Sequence, residues 1–223
     1  MQGPWRGVSG MTGSTHQGAF GSITVRTPLA MPGQRIGIMG GSFNPPHDGH
    51  RIVAETAVKR LRLDQLWWLV TPGNPLKAND GLPSQTERME LCRAFARGPK
   101  MIITGFESEL GTPYTAATLS FLRERCPSVH FVWVMGADNL ASFHRWQRWR
   151  EIAQTMPIAV VDRPGWRLKA LGSEAAQSLA HARMREADAA KLAAANPPAW
   201  VFLTGRLSPL SSTQLRATRS KQP

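Results

Sequence analysis

The sequence predicts an α/β fold in which helices cover both faces of a parallel β-sheet. From Arg35 onward, short apolar segments of strand length alternate with longer amphipathic segments of helical length. This alternation is typical of parallel strands joined by helical crossovers, because strands buried on both faces are apolar along their whole length. A chain of 223 residues with 42% hydrophobic residues fits one domain of this kind.

Strands and helices are expected to alternate along the chain. The predicted strands are residues 35–39, 65–70, 101–104, 130–135, 158–161 and 199–203. The predicted helices are residues 50–63, 85–96, 115–125, 146–156, 173–195 and 213–219. Ser84 and Glu87 have the spacing of a capping box, which favours a helix start at Gln85. The helix over 173–195 is rich in alanine and charge, so it could lie on the surface instead of crossing between strands.

Residues 1–33 differ in composition from the rest of the chain. They are rich in Gly, Ser, Thr and Pro and show no hydrophobic periodicity. Because such a segment buries little apolar surface, a disordered tail is predicted before a single domain over residues 34–223. The tail lacks the apolar core of a secretory signal, and no run of about 18 apolar residues occurs. A cytoplasmic protein without membrane contact is therefore expected.

The formal net charge of +12 favours anionic partners. Nucleic acid is one such partner, but the arginines are scattered along the chain and no RNA- or DNA-binding motif is present. A nucleic-acid-binding protein is therefore the remote alternative, and salt-dependent binding of oligonucleotides would reveal it. Most of the excess charge is expected on solvated surface, with a minority that attracts polyanionic ligands to a site.

The segment Gly40–His50, GGSFNPPHDGH, is expected to join the first strand to the first helix. A glycine pair at a strand end lets backbone N–H groups approach a ligand, and a helix start offers unpaired N–H groups with partial positive charge. Together these features predict a phosphate site. His47 and His50, at positions i and i+3, lie on one face of the first helical turn. Two imidazoles at a phosphate site indicate chemistry on phosphate rather than binding alone.

Other roles for the two histidines stay open on this reasoning. His47, Asp48 and His50 could be metal ligands, but no further His or Cys is nearby in the sequence, and a closed zinc site needs more ligands than these. Both histidines could also be structural residues of the helix start. No protein-bound metal is predicted.

Two segments resemble motifs of a known family. Gly40–His50 resembles the (H/T)xGH signature of the Rossmann-like nucleotidyltransferases, a superfamily that also contains the class I aminoacyl-tRNA synthetases. The form GGSFNPPHxGH is most similar to the bacterial nicotinate-nucleotide adenylyltransferases. Leu210–Arg216 (LSSTQLR) resembles the (I/L)SxTxxR motif of the same family. The two motifs occur in the family's order and imply its fold, a Rossmann-like parallel sheet with helices on both faces.

The resemblance implies adenylyl transfer from ATP to nicotinate mononucleotide, which gives deamido-NAD and pyrophosphate in NAD biosynthesis. The phosphate of the mononucleotide attacks the α-phosphorus of ATP, and Mg²⁺ accompanies the triphosphate. Because that phosphate is already an anion at neutral pH, the enzyme supplies alignment and positive charge instead of a strong base. The resemblance leaves open whether the chain forms a homo-oligomer.

The resemblance also implies roles for individual residues. The expected catalytic residues are His47, His50 and Arg216. ATP and its phosphates are expected to contact Gly41, Ser42, Phe43, Lys77, Asp138, Ser211 and Thr213. Nicotinate mononucleotide is expected to contact Thr115, Trp146 and Arg163.

Some of these roles come from shorter matches between the two motifs. Thr71–Lys77 (TPGNPLK) resembles the family's PxxxPPHK loop, with Leu76 in place of the usual histidine. Pro113–Thr115 resembles its (S)YT, and Gly136–Leu140 resembles its GxD segment. These matches imply that a basic residue and an acidic residue face the nucleotides.

Two further matches concern the acceptor. Phe143 and Trp146 resemble the family's F-x-x-W, in which an aromatic ring stacks on the pyridine ring, and Arg163–Gly165 resembles its RPG turn. Considered alone, Trp146 could be a packing residue of the core. Asp138 and Ser211–Thr213 could likewise be simple helix N-caps.

Related activities remain alternatives. An adenylyltransferase for another phosphate acceptor, nicotinamide mononucleotide or phosphopantetheine, would share the fold and the first motif. The phosphopantetheine enzymes are shorter and normally carry TxGH, so His47 and the length of 223 residues disfavour them. Pyrophosphate release measured over a panel of acceptors separates these activities.

Overall fold

A sheet of parallel strands lies at the centre of the described residues. The structure is a computed structural model, and it describes residues 25–73, 82–112 and 114–205. In chain order the strands are β1 (Arg35–Gly41), β2 (Gln65–Val70), β3 (Met101–Thr104), β4 (His130–Gly136), β5 (Ile158–Val161), β6 (Arg183–Met184) and β7 (Trp200–Leu203). Their order across the 7-stranded sheet is β3-β2-β1-β4-β5-β7-β6. The predicted parallel α/β fold is confirmed, with the unpredicted strand β6 at one edge.

Helical segments connect these strands. The described α-helices are α1 (Asp48–Arg60), α2 (Gln85–Phe95), α3 (Thr115–Arg125), α4 (Ala137–Leu140), α5 (Trp149–Thr155), α6 (Arg167–Leu171) and α7 (Glu174–Ser178). The 3₁₀ segments are Phe106–Leu110, Phe143–Arg145, Ala180–Ala182 and Glu186–Ala194. The capping box of α2 is confirmed, because the N–H of Ser84 donates to Glu87 Oε2 at 2.8 Å and the N–H of Glu87 donates to Ser84 Oγ at 3.2 Å. None of the described helices is long and apolar enough to cross a membrane.

The two faces of the sheet carry separate hydrophobic clusters. On one face, α1 and α2 bury Val53 and Cys92 together with Trp68. On the other face, α3 and α5 bury Leu119 and Ile152 together with Trp67. The adjacent tryptophans of β2 therefore point to opposite faces, as successive strand residues do.

The chain reverses its direction across the sheet between β1 and β4. From β1 it moves through β2 to β3 with helices on one face, and it then returns beside β1 as β4 with helices on the other face. In open parallel sheets this reversal leaves a crevice outside the carboxyl ends of the two central strands, where ligands bind. The segment that follows β1 lies at this position.

The long helix predicted over residues 173–195 is wrong. The segment forms α7, a 3₁₀ turn, strand β6 and a second 3₁₀ segment. Pairing with β7 explains the difference, because residues 183–184 extend beside that strand. The indole N–H of Trp200 also donates to the carbonyl of Leu179 at 2.8 Å and anchors the chain where a helix would have continued. Alanine's helix propensity is a weak preference that such tertiary contacts override.

Other predicted boundaries shift by smaller amounts. α1 begins at Asp48 rather than at residue 50. The helix predicted from Trp146 begins at Trp149, because Arg148 adopts a left-handed φ of 57° and interrupts the helix. The helix predicted over 213–219 lies outside the described residues.

The last part of the predicted tail packs against the domain. Val25 is 1% exposed and belongs to the hydrophobic cluster on the α3 face. The N–H of Gly33 donates to the carbonyl of Ser128 at 2.8 Å. The packed domain therefore begins before residue 34, and residues 1–24 lie outside the described part of the chain.

Candidate active site

The crevice opens where β1 and β4 stop pairing. β1 pairs with β2 as far as Gly41, but its pairing with β4 ends at Ile38 opposite Trp133. Beyond that point the two central strands no longer share hydrogen bonds, so peptide groups of β1 face a gap. The segments that leave these strands, Gly41–His50 and Gly136–Leu140, line the same opening.

In the segment Gly41–His50, the first two carbonyls accept hydrogen bonds from the side of β2 and α2. The carbonyl of Gly41 accepts from the N–H of Thr71 at 3.0 Å, and the carbonyl of Ser42 accepts from Arg88 Nη1 at 2.8 Å. Both peptides are trans, so the N–H groups of Ser42 and Phe43 point in the opposite direction, away from β2 and α2. This orientation is compatible with the predicted approach of phosphate to Ser42, and the contact predicted for the Gly41 N–H stays a prediction.

Phe43 supports the site from within the core, so its backbone N–H is the group available for the predicted contact with ATP. The residue is 1% exposed, so its side chain offers no surface to a nucleotide. Its ring stacks on Trp68 with centroids 5.1 Å apart and meets the edge of His50 at 4.9 Å. His50 therefore rests against a buried aromatic pair that limits its movement.

The two histidines stand together at the start of α1, as the spacing predicts. His47 is the N-cap residue, and the rings of His47 and His50 stack with centroids 3.8 Å apart. The backbone N–H of His47 donates to Nδ1 of His50 at 3.3 Å. Because Nδ1 accepts this bond, the proton of the neutral His50 ring belongs on Nε2, which can donate to a ligand.

Both imidazoles are held in the neutral form near pH 7. Burial, followed by the positive charge of Arg163, lowers the pKa of His47 to about 4, against an opposing effect of Asp48. Burial, followed by His47 and Arg163, lowers the pKa of His50 well below its usual value of 6.5. A bound anion would raise both pKa values, because negative charge favours the protonated form.

Arg163, which is predicted to contact nicotinate mononucleotide, lies beside the two histidines. Its side chain is 11% exposed, and its guanidinium packs on Gly49. A Cβ added at Gly49 would overlap Arg163 Nη1 and would lie 2.9 Å from the His47 ring. Glycine at this position therefore lets the arginine and the histidines meet. We call Gly41–His50 together with Arg163 the phosphate corner.

Asp138 joins the phosphate corner from the end of β4. It is the second residue of α4, whose N-cap is Gly136, so a capping role for Asp138 is wrong. Its carboxylate Oδ1 lies 3.9 Å from Arg163 Nε. The two side chains bring an acidic and a basic group to the crevice at neighbouring strand ends.

An aromatic platform follows β4 on the other side of the crevice. Trp146 is half-buried, and its ring meets Phe143 at 5.5 Å and Trp133 at 6.4 Å, both edge to face. Trp133 in turn packs so closely on Gly40 that an added Cβ would lie 2.5 Å from its ring. The aromatic platform, Trp133, Phe143 and Trp146, therefore borders the end of β1. Thr115, predicted beside it, is the half-buried first residue of α3.

Some predicted residues lie outside the described part of the chain. They are Lys77, Ser211, Thr213 and Arg216.

The sequence reasoning missed Arg88, which is fully buried on α2. Its guanidinium donates to three backbone carbonyls, one of them that of Ser42. Its position in the sequence could have indicated burial. Arg88 lies four residues before Cys92, on the face of α2 that carries the apolar residues of this helix. A charged residue on a buried helix face needs partners, and here they are backbone groups at the edge of the site.

Comparisons with known proteins agree with this geometry. A profile of the cytidylyltransferase-like family matches residues 38–218. The probable nicotinate-nucleotide adenylyltransferase of Brucella suis biovar 1 is 55% identical over 187 residues, which cover 84% of this chain and 96% of that protein. The protein of the same name from Rhizobium meliloti is 56% identical over 185 residues, which cover 83% of this chain and 98% of that protein.

A solved structure shares the fold. Plasmodium falciparum nicotinic acid mononucleotide adenylyltransferase, complexed with NaAD, superposes with a TM-score of 0.63 at 16% identity, covering 82% of this chain and 83% of that chain. At 16% identity this structural similarity shows a shared fold only. The curated relatives, at 55% and 56% identity, show the family. The chain belongs to the nicotinate-nucleotide adenylyltransferases, within the cytidylyltransferase-like family.

Proposed function

We propose that this chain transfers the adenylyl group of ATP to nicotinate mononucleotide, giving deamido-NAD and pyrophosphate in NAD biosynthesis. The observation that carries the proposal is the phosphate corner, where two stacked neutral histidines and Arg163 meet at the carboxyl end of β1. The identity of the acceptor rests on the curated relatives, whose names state it. We expect the reaction to take place in the cytoplasm, where ATP is available.

The phosphate corner can stabilise the charge that develops during attack on the α-phosphorus. A phosphate oxygen of the mononucleotide forms the new P–O bond, and the bond to the bridging oxygen of the β-phosphate breaks, so that pyrophosphate leaves with the electron pair. The Nε2–H of His50 and the N–H of Ser42 donate hydrogen bonds to phosphate oxygens, while Arg163 supplies positive charge. Donors fixed before the reaction lower the barrier without reorganisation.

Mg²⁺ fits this site as a companion of the triphosphate. The described residues include no group of three His, Cys, Asp or Glu side chains that could hold a metal ion. Mg²⁺ usually keeps several waters and binds substrate phosphates with few protein carboxylates. Asp138 is a carboxylate at the crevice, but it faces Arg163. We therefore assign the ion to the phosphates of ATP and water.

The aromatic platform and the start of α3 are the proposed site for the acceptor. The ring of Trp146 would stack on the pyridine ring. N–H groups in the first turn of α3, beside Thr115, could receive the carboxylate of nicotinate. A site that donates to this anion leaves its donors unsatisfied when the amide binds, so the acid should be preferred.

Four residues outside the described part complete the proposed site. Arg216 would bind the leaving pyrophosphate with its planar fork of donors. Ser211 and Thr213 would cap the helix that carries Arg216 and present its N-terminus to phosphate. Lys77 would supply a further basic contact to the nucleotides.

The test is pyrophosphate release by the full chain with ATP and Mg²⁺, over a panel of acceptors. We expect nicotinate mononucleotide to be preferred over the amide by about 100-fold or more in kcat/KM, because mismatched buried polar groups discriminate strongly. A ratio near one, or in favour of the amide, would support the nicotinamide mononucleotide alternative. Turnover of phosphopantetheine alone would support the phosphopantetheine alternative. Binding of oligonucleotides without turnover of any acceptor would contradict the proposal that the chain is an enzyme.

A further inference from the structure

A fully buried arginine, Arg88, joins segments of the chain below the phosphate corner. Nη1 donates to the carbonyl of Ser42 at 2.8 Å, Nη2 to that of Pro72 at 3.0 Å and Nε to that of Pro83 at 2.9 Å. All three acceptors are backbone oxygens. This one guanidinium therefore fixes the segment after β1, the segment after β2 and the start of α2 relative to each other.

The position of the guanidinium is itself fixed. Arg88 lies one turn into α2, and Gln85 at the start of that helix donates through Nε2 to the carbonyl of Val70 at 2.6 Å and to that of Gly105 at 3.1 Å. Val70 is the last residue of β2 and Gly105 directly follows β3, so the first turn of α2 is tied to the sheet. The Arg88 guanidinium thus extends from a helix turn that is itself held in place.

A buried cation is costly unless its donors are satisfied, and this one is held by peptide oxygens. Burial lowers the pKa of the Arg88 guanidinium, yet arginine remains charged at neutral pH. Lysine would not reproduce the arrangement, because its ammonium is a point charge without the planar fork that reaches three carbonyls at once. The site therefore needs both the charge and the shape of arginine.

We propose that Arg88 is a positioning residue for ATP, holding the carbonyl of Ser42 back so that the N–H groups of Ser42 and Phe43 stay turned toward the phosphates. The N–H of Thr71 holds the carbonyl of Gly41 in the same way, so two successive peptides share one orientation. The inference rests on the proposed function, since it assumes that ATP phosphates bind this segment.

The first experiment compares Arg88→Met and Arg88→Lys with Arg93→Met. Arg93 is on the same helix, but it is exposed and pairs with Glu90, which makes it a matched control. Calorimetry should show ATP affinity reduced about tenfold or more in Arg88→Met, partly restored in Arg88→Lys and unchanged in Arg93→Met. The KM for nicotinate mononucleotide should change less than the KM for ATP. A lower melting temperature with unchanged ATP affinity would show a merely structural role and overturn the inference.

A second measurement needs no variant and stays valid if Arg88→Met does not fold. Saturating ATP should shift the ¹⁵N–¹H resonances of the Ser42 and Phe43 amides in the wild-type chain. ATP binding without a response at either amide would overturn the inference while leaving the proposed function intact. Failure of the wild-type chain to bind ATP at all would contradict the proposed function as well.

Discussion

The phosphate corner and the aromatic platform stand at neighbouring strand ends but are built in different ways. In the phosphate corner His47 is 4% exposed, His50 is held by a hydrogen bond and three ring contacts, and Arg163 packs on Gly49. In the aromatic platform Trp146 is half-buried, and its ring contacts are edge to face. The side chains of the phosphate corner are therefore held by several contacts, whereas the aromatic platform leaves part of the Trp146 ring exposed.

This difference matches what each region would do in the proposed reaction. Stabilising charge in a transition state depends steeply on distance, so the donors must be fixed before the reaction. Holding a flat pyridine ring requires an aromatic surface and tolerates small displacements. Changes in the phosphate corner should therefore slow turnover, while changes in the platform should weaken binding of the acceptor.

The largest effect is expected from His50→Ala. Removing one fixed donor to a developing charge typically lowers the rate by about 10²–10³. We expect a loss of this size in kcat, with the melting temperature nearly unchanged, and a similar loss for His47→Ala. His181→Ala, at an exposed histidine, serves as the control. Near-normal turnover in both variants, or a fall in stability that accounts for the lost activity, would remove the histidines from the reaction.

Gly49→Ala should come next, because the added methyl group has no room. It would overlap Arg163 Nη1 and press on the His47 ring, so the two must move apart. Misplacement of about 1 Å in a catalytic group can lower the rate about 10²-fold. The matched control is Gly205→Ala, where an added Cβ meets no described atom within 4 Å. Equal kcat values for the two variants would mean that contact between Arg163 and the histidines is unimportant.

The free energy of unfolding should depend on pH through His47 of the phosphate corner. The pKa of His47 is about 4 in the folded chain and near 6.5 when unfolded. Between these values the unfolded state binds the extra proton, so stability is lost as the pH falls below 6.5. For His47 the loss amounts to about 2 kcal/mol between pH 6.5 and 5.

Urea unfolding at pH 7 and pH 5 measures this effect. His47→Asn should lose less stability than the wild type on acidification, by about the amount that His47 contributes. His181→Asn should follow the wild type. The same acid sensitivity in His47→Asn and the wild type would show that His47 is not held neutral by the fold.

The sequence predicts the parts of the site that depend on local structure. Gly41, His47 and His50 lie within one strand-to-helix connection, so their spacing alone places them at a helix start beside the loop that is predicted to bind phosphate. The helix start also restricts which side chains meet, because residues three apart share one face. For this reason the histidine pair could be predicted from the amino-acid spacing.

Contacts between distant segments could not be predicted in this way. Arg88 meets the carbonyl of Ser42 across 46 positions of sequence, and only the packing of α2 brings them together. The sequence does not indicate that Arg163 meets Gly49 and Asp138, because only the neighbouring positions of β1, β4 and β5 in the sheet bring these residues together. The helix expected over 173–195 failed for the same reason, since pairing of β6 with β7 outweighs local propensity.

The smallest effect is expected in the aromatic platform, from Trp146→Ala. Stacking of a flat heterocycle on an aromatic side chain contributes about 1–3 kcal/mol, so the KM for the acceptor should rise by about fivefold to 100-fold. Because the ring stacks on either acceptor, KM should rise alike for the acid and the amide, and their ratio of kcat/KM should stay constant. Trp146→Phe should restore most of the loss, and Trp166→Ala, at a partly exposed tryptophan of another segment, should have no effect. A change in the acid-to-amide ratio would mean that Trp146 also sets specificity, and an equal rise in the KM for ATP would mean that the platform and the phosphate corner are not separate.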